Sequence, residues 1–167
     1  MRPLGFAALA ALVAIGPLAC DGGLQPEARC PSGICGTVTL IGAQPESTDA
    51  VFVIAYRTFP QTCNDIADFV PLPPPQLDLT SATPTYALTL PDGRYEWIVA
   101  AWKKVGPFTF TPADTAILRE AGFYRDSADT SQPGAVTLAG AAVDGVDFVV
   151  DLANLHPITD YLTCTVR

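Results

Sequence analysis

Apolar and polar residues alternate with period two along much of the chain beyond residue 36, the pattern of strands that bury one face. Thr37-Val38-Thr39-Leu40 places Val38 and Leu40 on one side and the threonines on the other. Tyr86, Leu88 and Leu90 alternate with Thr85, Ala87 and Thr89. The longest run, Tyr95 to Trp102, sets Tyr95, Trp97 and Val99 opposite Glu96, Ile98 and Ala100. Val136-Thr137-Leu138 follows, and then Val146, Phe148, Val150 and Leu152 alternate with Asp147 and Asp151. Val51 to Tyr56 departs from the pattern, being apolar on both faces as a central strand is. Turn residues separate these runs at Gly42 to Asp49, Pro91-Asp92-Gly93 and Gly140 to Gly145. The spacing predicts an all-β domain: an antiparallel Greek-key β-sandwich of about seven strands, with one short helix in an insert.

Two stretches break the strand rhythm. Thr58 to Leu79 contains Pro73-Pro74-Pro75, which has no N–H to donate to a ladder and is expected as an extended connection at a sheet edge. The second is the insert at 104–133. Thr111-Pro112-Ala113-Asp114 has the form of a capped helix start with proline at the first helical position. Ala113 to Ala121 is then expected to be helical, with Gly122 ending it. Leu90-Pro91-Asp92-Gly93-Arg94-Tyr95 predicts a tyrosine corner, in which the Tyr95 ring packs inward and its hydroxyl bonds backbone upstream.

The first residues read differently. Arg2 precedes an uncharged run from Leu4 to Leu18, too short for a comfortable membrane span, and Ala19-Cys20 follows. This leader resembles a bacterial lipoprotein signal, with Pro17 at the position where that pattern usually has leucine. The resemblance implies a diacylglyceryl group on the sulfur of Cys20, cleavage before it, and acyl chains such as palmitate anchoring the protein to the lipid bilayer of a bacterial cell envelope. An ordinary secretory signal followed by an incidental cysteine is the other reading. Asp21-Gly22-Gly23 suits a flexible tether. Removing 19 residues from 167 leaves 148, about one domain. The expected division is a signal peptide at 1–19, a tether at 20–32, a sandwich at 33–152, and a C-terminal extension at 153–167 tied to the domain.

The formal charge of −8 comes with only one adjacent basic pair, Lys103-Lys104, which argues against nucleic acid as a partner. With Cys20 acylated, Cys30, Cys35, Cys63 and Cys164 remain, an even number suited to disulfides in an exported chain. Three connectivities are open. If the strand near Gly36 runs antiparallel to the one ending near Thr58, Cys30 falls close to Cys63 and leaves Cys35 for Cys164. A zinc site is disfavoured by the Cys30–Cys35 spacing and by the single histidine, His156.

Gly33-Ile34-Cys35-Gly36-Thr37-Val38-Thr39, Leu90-Pro91-Asp92-Gly93-Arg94-Tyr95 and Gly145-Val146-Asp147-Phe148 together resemble the carboxypeptidase regulatory-like (transthyretin-like) domain. The likeness covers roughly residues 33–152. It implies a non-enzymatic β-sandwich acting as a binding or accessory module.

Candidate chemistry is sparse. His156 precedes Pro157 in the tail, and no Gly-x-Ser-x-Gly elbow is present, so a hydrolytic triad lacks its parts. Tyr124-Arg125-Asp126-Ser127 has a superficial likeness to the Tyr-Arg-Gly-Ser of transthyretin-like hydrolases, but it is internal and lacks the glycine and the histidines. Asp126 and Asp129 sit among hydroxyl residues without a calcium-loop pattern, and no cofactor or metal is expected. Trp97 and Trp102 are separated by an odd number of residues and so face opposite sides of a regular strand. One is expected in the core. The other is either exposed, or covered by Phe108 and Phe110 of the insert. An exposed tryptophan would define a second reading, a carbohydrate-recognition domain built on Trp97 or Trp102 and the 104–133 insert. The expected partners are therefore the bilayer, through Cys20, and an envelope protein or glycan.

Overall fold

A computed structural model describes residue 30, residues 32–109 and residues 111–164. Among the described residues nine strands are formed: β1 (Ile34–Ile41), β2 (Thr48–Tyr56), β3 (Thr85–Leu88), β4 (Gly93–Tyr95), β5 (Trp97–Lys104), β6 (Leu118–Phe123), β7 (Val136–Leu138), β8 (Phe148–Asp151) and β9 (His156–Pro157). One sheet has the order β3-β1-β8, a second β2-β5-β6-β9, and β4 pairs separately with β7. The all-β, sandwich-like expectation holds.

Not every pairing is antiparallel. β1 is antiparallel to β3, with Ile34 opposite Leu88, but parallel to β8, with Val38 opposite Phe148 and Ile41 opposite Asp151. Alternation sets which side chains face inward and is silent about strand direction, so the sequence pattern could not separate the two cases.

The two sheets enclose a core in which Val38, Leu88, Phe148 and Val150 meet Val51, Val53, Ile98, Ala100 and Trp102. Each fully buried aliphatic side chain of this kind contributes about 1.5–3 kcal/mol. Tyr95 is wholly buried and its Oη donates to the Pro91 carbonyl at 2.7 Å, so the tyrosine corner forms as expected.

The second sheet is buried on its other face as well. Ile54 and Tyr56 of β2, Trp97, Val99 and Ala101 of β5, and Leu118 and Phe123 of β6 form a separate apolar cluster there. Ile66 and Phe69 from the 58–79 connection and Ile158 and Leu162 from the tail cover it. That cover explains why Val51 to Tyr56 is apolar on both faces although β2 stands at the end of its sheet order. Its free edge is also satisfied. The Ala55 and Val70 backbones exchange hydrogen bonds at 2.9 Å, Val53 N–H donates to the Pro75 carbonyl at 3.1 Å, and Leu77 N–H donates to the Val51 carbonyl at 2.8 Å. The proline run thus lies along a sheet edge and supplies acceptors, as its lack of N–H groups requires.

The insert differs from expectation. Pro112–Ala116 forms one short 3-10 turn, and the chain then enters β6 instead of continuing as a helix to Ala121. The predicted start is present: the Asp114 carboxylate accepts the backbone N–H groups of Thr109 and Thr111. Pairing with β5 overrides the local helix preference, because Leu118 and Phe123 bury on the outer face while Ala121 joins the inner core. Gly122 does not cap a helix. It sits at a bulge opposite Ala100, at φ +155°, where a side chain would collide with the Val149 carbonyl of β8.

Candidate functional site

Position and burial remove several expected features of the aromatic surface. Trp97 and Trp102 do face opposite sides of β5, in different apolar clusters, but neither is exposed. Trp102 lies inside the sandwich and its Nε1–H donates to Thr48 Oγ1 at 2.8 Å. Trp97 lies on the outer face under the rings of Tyr56 (5.5 Å between centroids), Phe59 (4.8 Å) and Tyr161 (5.5 Å). Residues from the 58–79 connection and the tail, not an open solvent face, therefore meet it. An exposed-tryptophan platform for a sugar ring is not formed. Phe108 is half-buried and packs on the outer cluster; Phe110 and Cys20 lie outside the described residues.

The disulfide expectation is corrected. Cys30 pairs with Cys35, and Cys63 pairs with Cys164. The expected partners failed because the connection after β2 carries Cys63 over the outer face of the second sheet, away from the start of β1. There it meets the tail. The bond joins the tail to the 58–79 connection and not to the first strand.

Tyr56 anchors this cover from below, its Oη donating to the Ile66 carbonyl at 2.9 Å. Burial pushes the Tyr56 phenol well above its ordinary value, with the charge of Asp68 adding to the shift, so the group remains a neutral donor. Two 3-10 turns of related design, Cys63–Ala67 and Pro112–Ala116, touch each other in this layer. In the first, Asp65 accepts the N–H groups of Gln61 and Thr62 at 3.0 and 2.8 Å. Those backbone bonds hold its carboxyl below the usual range. Between the two turns and the tail lies an apolar cleft of about 460 Å³, open mouth included, bounded by Phe52, Ile54, Phe69, Pro74, Phe108 and Ile158.

The side chains that the sequence pattern did not single out are Glu120 and Tyr161. Glu120 is 3 % exposed, and its Oε2 accepts the Tyr161 hydroxyl at 2.8 Å. Burial raises its carboxyl above the ordinary value. The Tyr161 bond, the charges of His156 and Arg125, and a backbone bond from Gly122 oppose that rise. His156 stands opposite Glu120 across the β6–β9 pairing. A lone acidic residue between Leu118 and Phe123 would have drawn notice if this segment had been read as a strand. On a short surface helix an acidic residue carries no such signal. Trp97 Nε1, on the same face, is a buried donor with no hydrogen-bond partner among the described residues.

Other polar groups are engaged within the fold. Buried Lys103 pairs with Asp49 and donates to the Gly106 carbonyl at 2.7 Å, which fixes the start of the insert. Asp126 accepts the Ala128 N–H, and Asp129 accepts both the N–H and the hydroxyl of Ser131. Among the described residues no group of three or more His, Cys, Asp or Glu could hold a metal ion, and no helix is long and apolar enough to cross a membrane.

What the arrangement defines is a β-sandwich carrying an irregular third layer, clamped by a disulfide. No known protein family, curated protein or solved structure matches the chain.

Proposed function

We propose that this protein is a non-enzymatic lipoprotein of the bacterial cell envelope, acylated at Cys20, whose carboxypeptidase regulatory-like β-sandwich serves as a binding or accessory module. One observation carries the reading. Cys30, Cys35, Cys63 and Cys164 pair entirely among themselves, so of the five cysteines only Cys20 is not needed for the disulfides of the domain. Two disulfides suit an oxidising compartment, and a cysteine set apart directly after an apolar leader suits lipid attachment there. Anchoring that lasts requires more than one acyl chain, as the lipoprotein pattern supplies.

The partner is an envelope protein, met at the third layer rather than at a tryptophan platform. Support for a binding role, and not a catalytic one, lies in how the polar side chains are used: Lys103, Asp65 and Asp114 all brace loops. The sugar-binding alternative loses its basis with both tryptophans buried.

Mass spectrometry of the mature N-terminus tests the proposal. An acylated Cys20 at the first position is expected. A free terminus at another residue would overturn it.

A further inference from the structure

The chain after β8 crosses the outer face of the second sheet as a strap. Among the described residues its ladder pairing with that sheet is limited to the two residues of β9, against Arg119 and Glu120. Ile158 and Leu162 bury into the outer cluster, Tyr161 Oη bonds Glu120, and Thr163 N–H donates to the Gln61 carbonyl at 2.8 Å. Its end is then locked to Cys63. Few backbone bonds hold such a segment, which places it among the first parts of a fold to open.

Beneath the strap lie two polar groups that weaken closure. The Trp97 Nε1–H is buried with no acceptor among the described residues, and the Glu120 carboxylate is buried with its charge only partly compensated. Glu120, whose partner Tyr161 belongs to the strap, would gain water if the strap lifted. The covalent clamp therefore acts against a polar penalty beneath it. Both residues of this clamp are partly exposed; in the other disulfide Cys30 is partly exposed and Cys35 is buried in β1. Neither Cys63 nor Cys164 lies in a strand, so opening their bond breaks no sheet ladder.

We propose that residues 156–164 form a redox-released strap: a dithiol reductant opens the Cys63–Cys164 bond, and the strap lifts to uncover the apolar face around Trp97 and β6. One thiolate of the reductant attacks a sulfur of the pair and forms a mixed disulfide. Its second thiol then displaces the protein sulfur. The reductant leaves as a disulfide, and Cys63 and Cys164 each take up a proton as thiols, a two-electron exchange. The device adds a gate to the binding-module reading and does not depend on Cys20. The state of the N-terminus and the state of the strap are read by separate measurements, so either can fail alone.

Hydrogen exchange followed by mass spectrometry separates strap from sandwich, and N-phenylnaphthylamine, a neutral apolar fluorophore, reports the uncovered face. Both are applied to the full mature chain in three states: oxidised, treated with dithiothreitol, and as the C63S/C164S variant, which keeps Cys30–Cys35. In the reduced and C63S/C164S proteins, amides of 156–164 are expected to exchange about tenfold faster or more. The amides of β1, β2 and β5 keep their protection and the fluorophore signal rises. The C30S/C35S variant, with its clamp intact, behaves in the strap as the oxidised protein does. Unchanged strap exchange after the clamp is cut overturns the proposal. So does loss of protection through β1, β2 and β5 together with the strap, since the disulfide would then staple the whole fold.

Discussion

Replacing Tyr161 with phenylalanine removes one hydroxyl and keeps the ring against Trp97, so it isolates the bond to Glu120. A hydrogen bond to a charged group is worth about 1.5–3 kcal/mol and one to a neutral group about 1 kcal/mol. The cost of Y161F should therefore depend on whether Glu120 is ionised. Burial raises the folded-state pKa of Glu120 above its ordinary value of 4.5. Between those two values the unfolded chain releases its proton first, so stability falls as pH rises through that window. The contribution of the protonated form is fully present below 4.5. The Tyr161 hydroxyl lowers the folded value, and deleting it moves that value further up, deepening the loss and extending it to higher pH. Urea unfolding followed by tryptophan fluorescence at about pH 4 and about pH 8 measures this. The expected cost is about 1 kcal/mol in acid and about 2 kcal/mol above neutrality. In an E120Q background, which keeps an acceptor and removes the charge, the cost should stay near about 1 kcal/mol at both pH values. An equal cost at both pH values in the native background would refute the argument that Tyr161 stabilises a buried carboxylate.

Further outcomes follow from single contacts. Y95F deletes the donor to the Pro91 carbonyl and should cost about 1 kcal/mol, read as a lower urea midpoint with an unchanged slope. G122A places a methyl group against the Val149 carbonyl at a φ that disfavours alanine. It should destabilise the fold by about 1–3 kcal/mol, measured the same way.

Much of the sandwich was legible because its strands bury one face and show it. Val38, Leu88, Phe148 and Val150 all fall where alternation places them, and the Pro91-to-Tyr95 turn forms the bond its spacing suggests. The parity of Trp97 and Trp102 was likewise readable, but not their cover, because covering depends on segments distant in sequence. Residues 118–123 misled for a physical reason. Ala, Leu and Glu favour a helix locally, and only the neighbouring β5 ladder and the Val149 backbone select a bulged strand. Disulfide pairing was hidden in the same way, since the path of the proline-rich connection over the outer face decides which cysteine meets Cys164. Glu120 and Tyr161 are 41 residues apart and become neighbours only once β6 and the tail have both been placed.

The outer layer is built differently from the sandwich beneath it. Three sequence-distant segments supply it, and each brings a few apolar side chains: Ile66 and Phe69, Phe108, and Ile158 and Leu162. None of them adds more than a short turn or a two-residue strand of regular hydrogen bonding. No one segment can bury its side chains without the others, so the layer forms only after the second sheet exists to receive it. Its Asp65 and Asp114 caps stiffen the turns locally but do not join the segments. The Cys63–Cys164 bond is the covalent link between two of the three. A domain with that construction has one stable core and one conditional cover. Sequence change in the cover can then proceed without disturbing the strands that hold it.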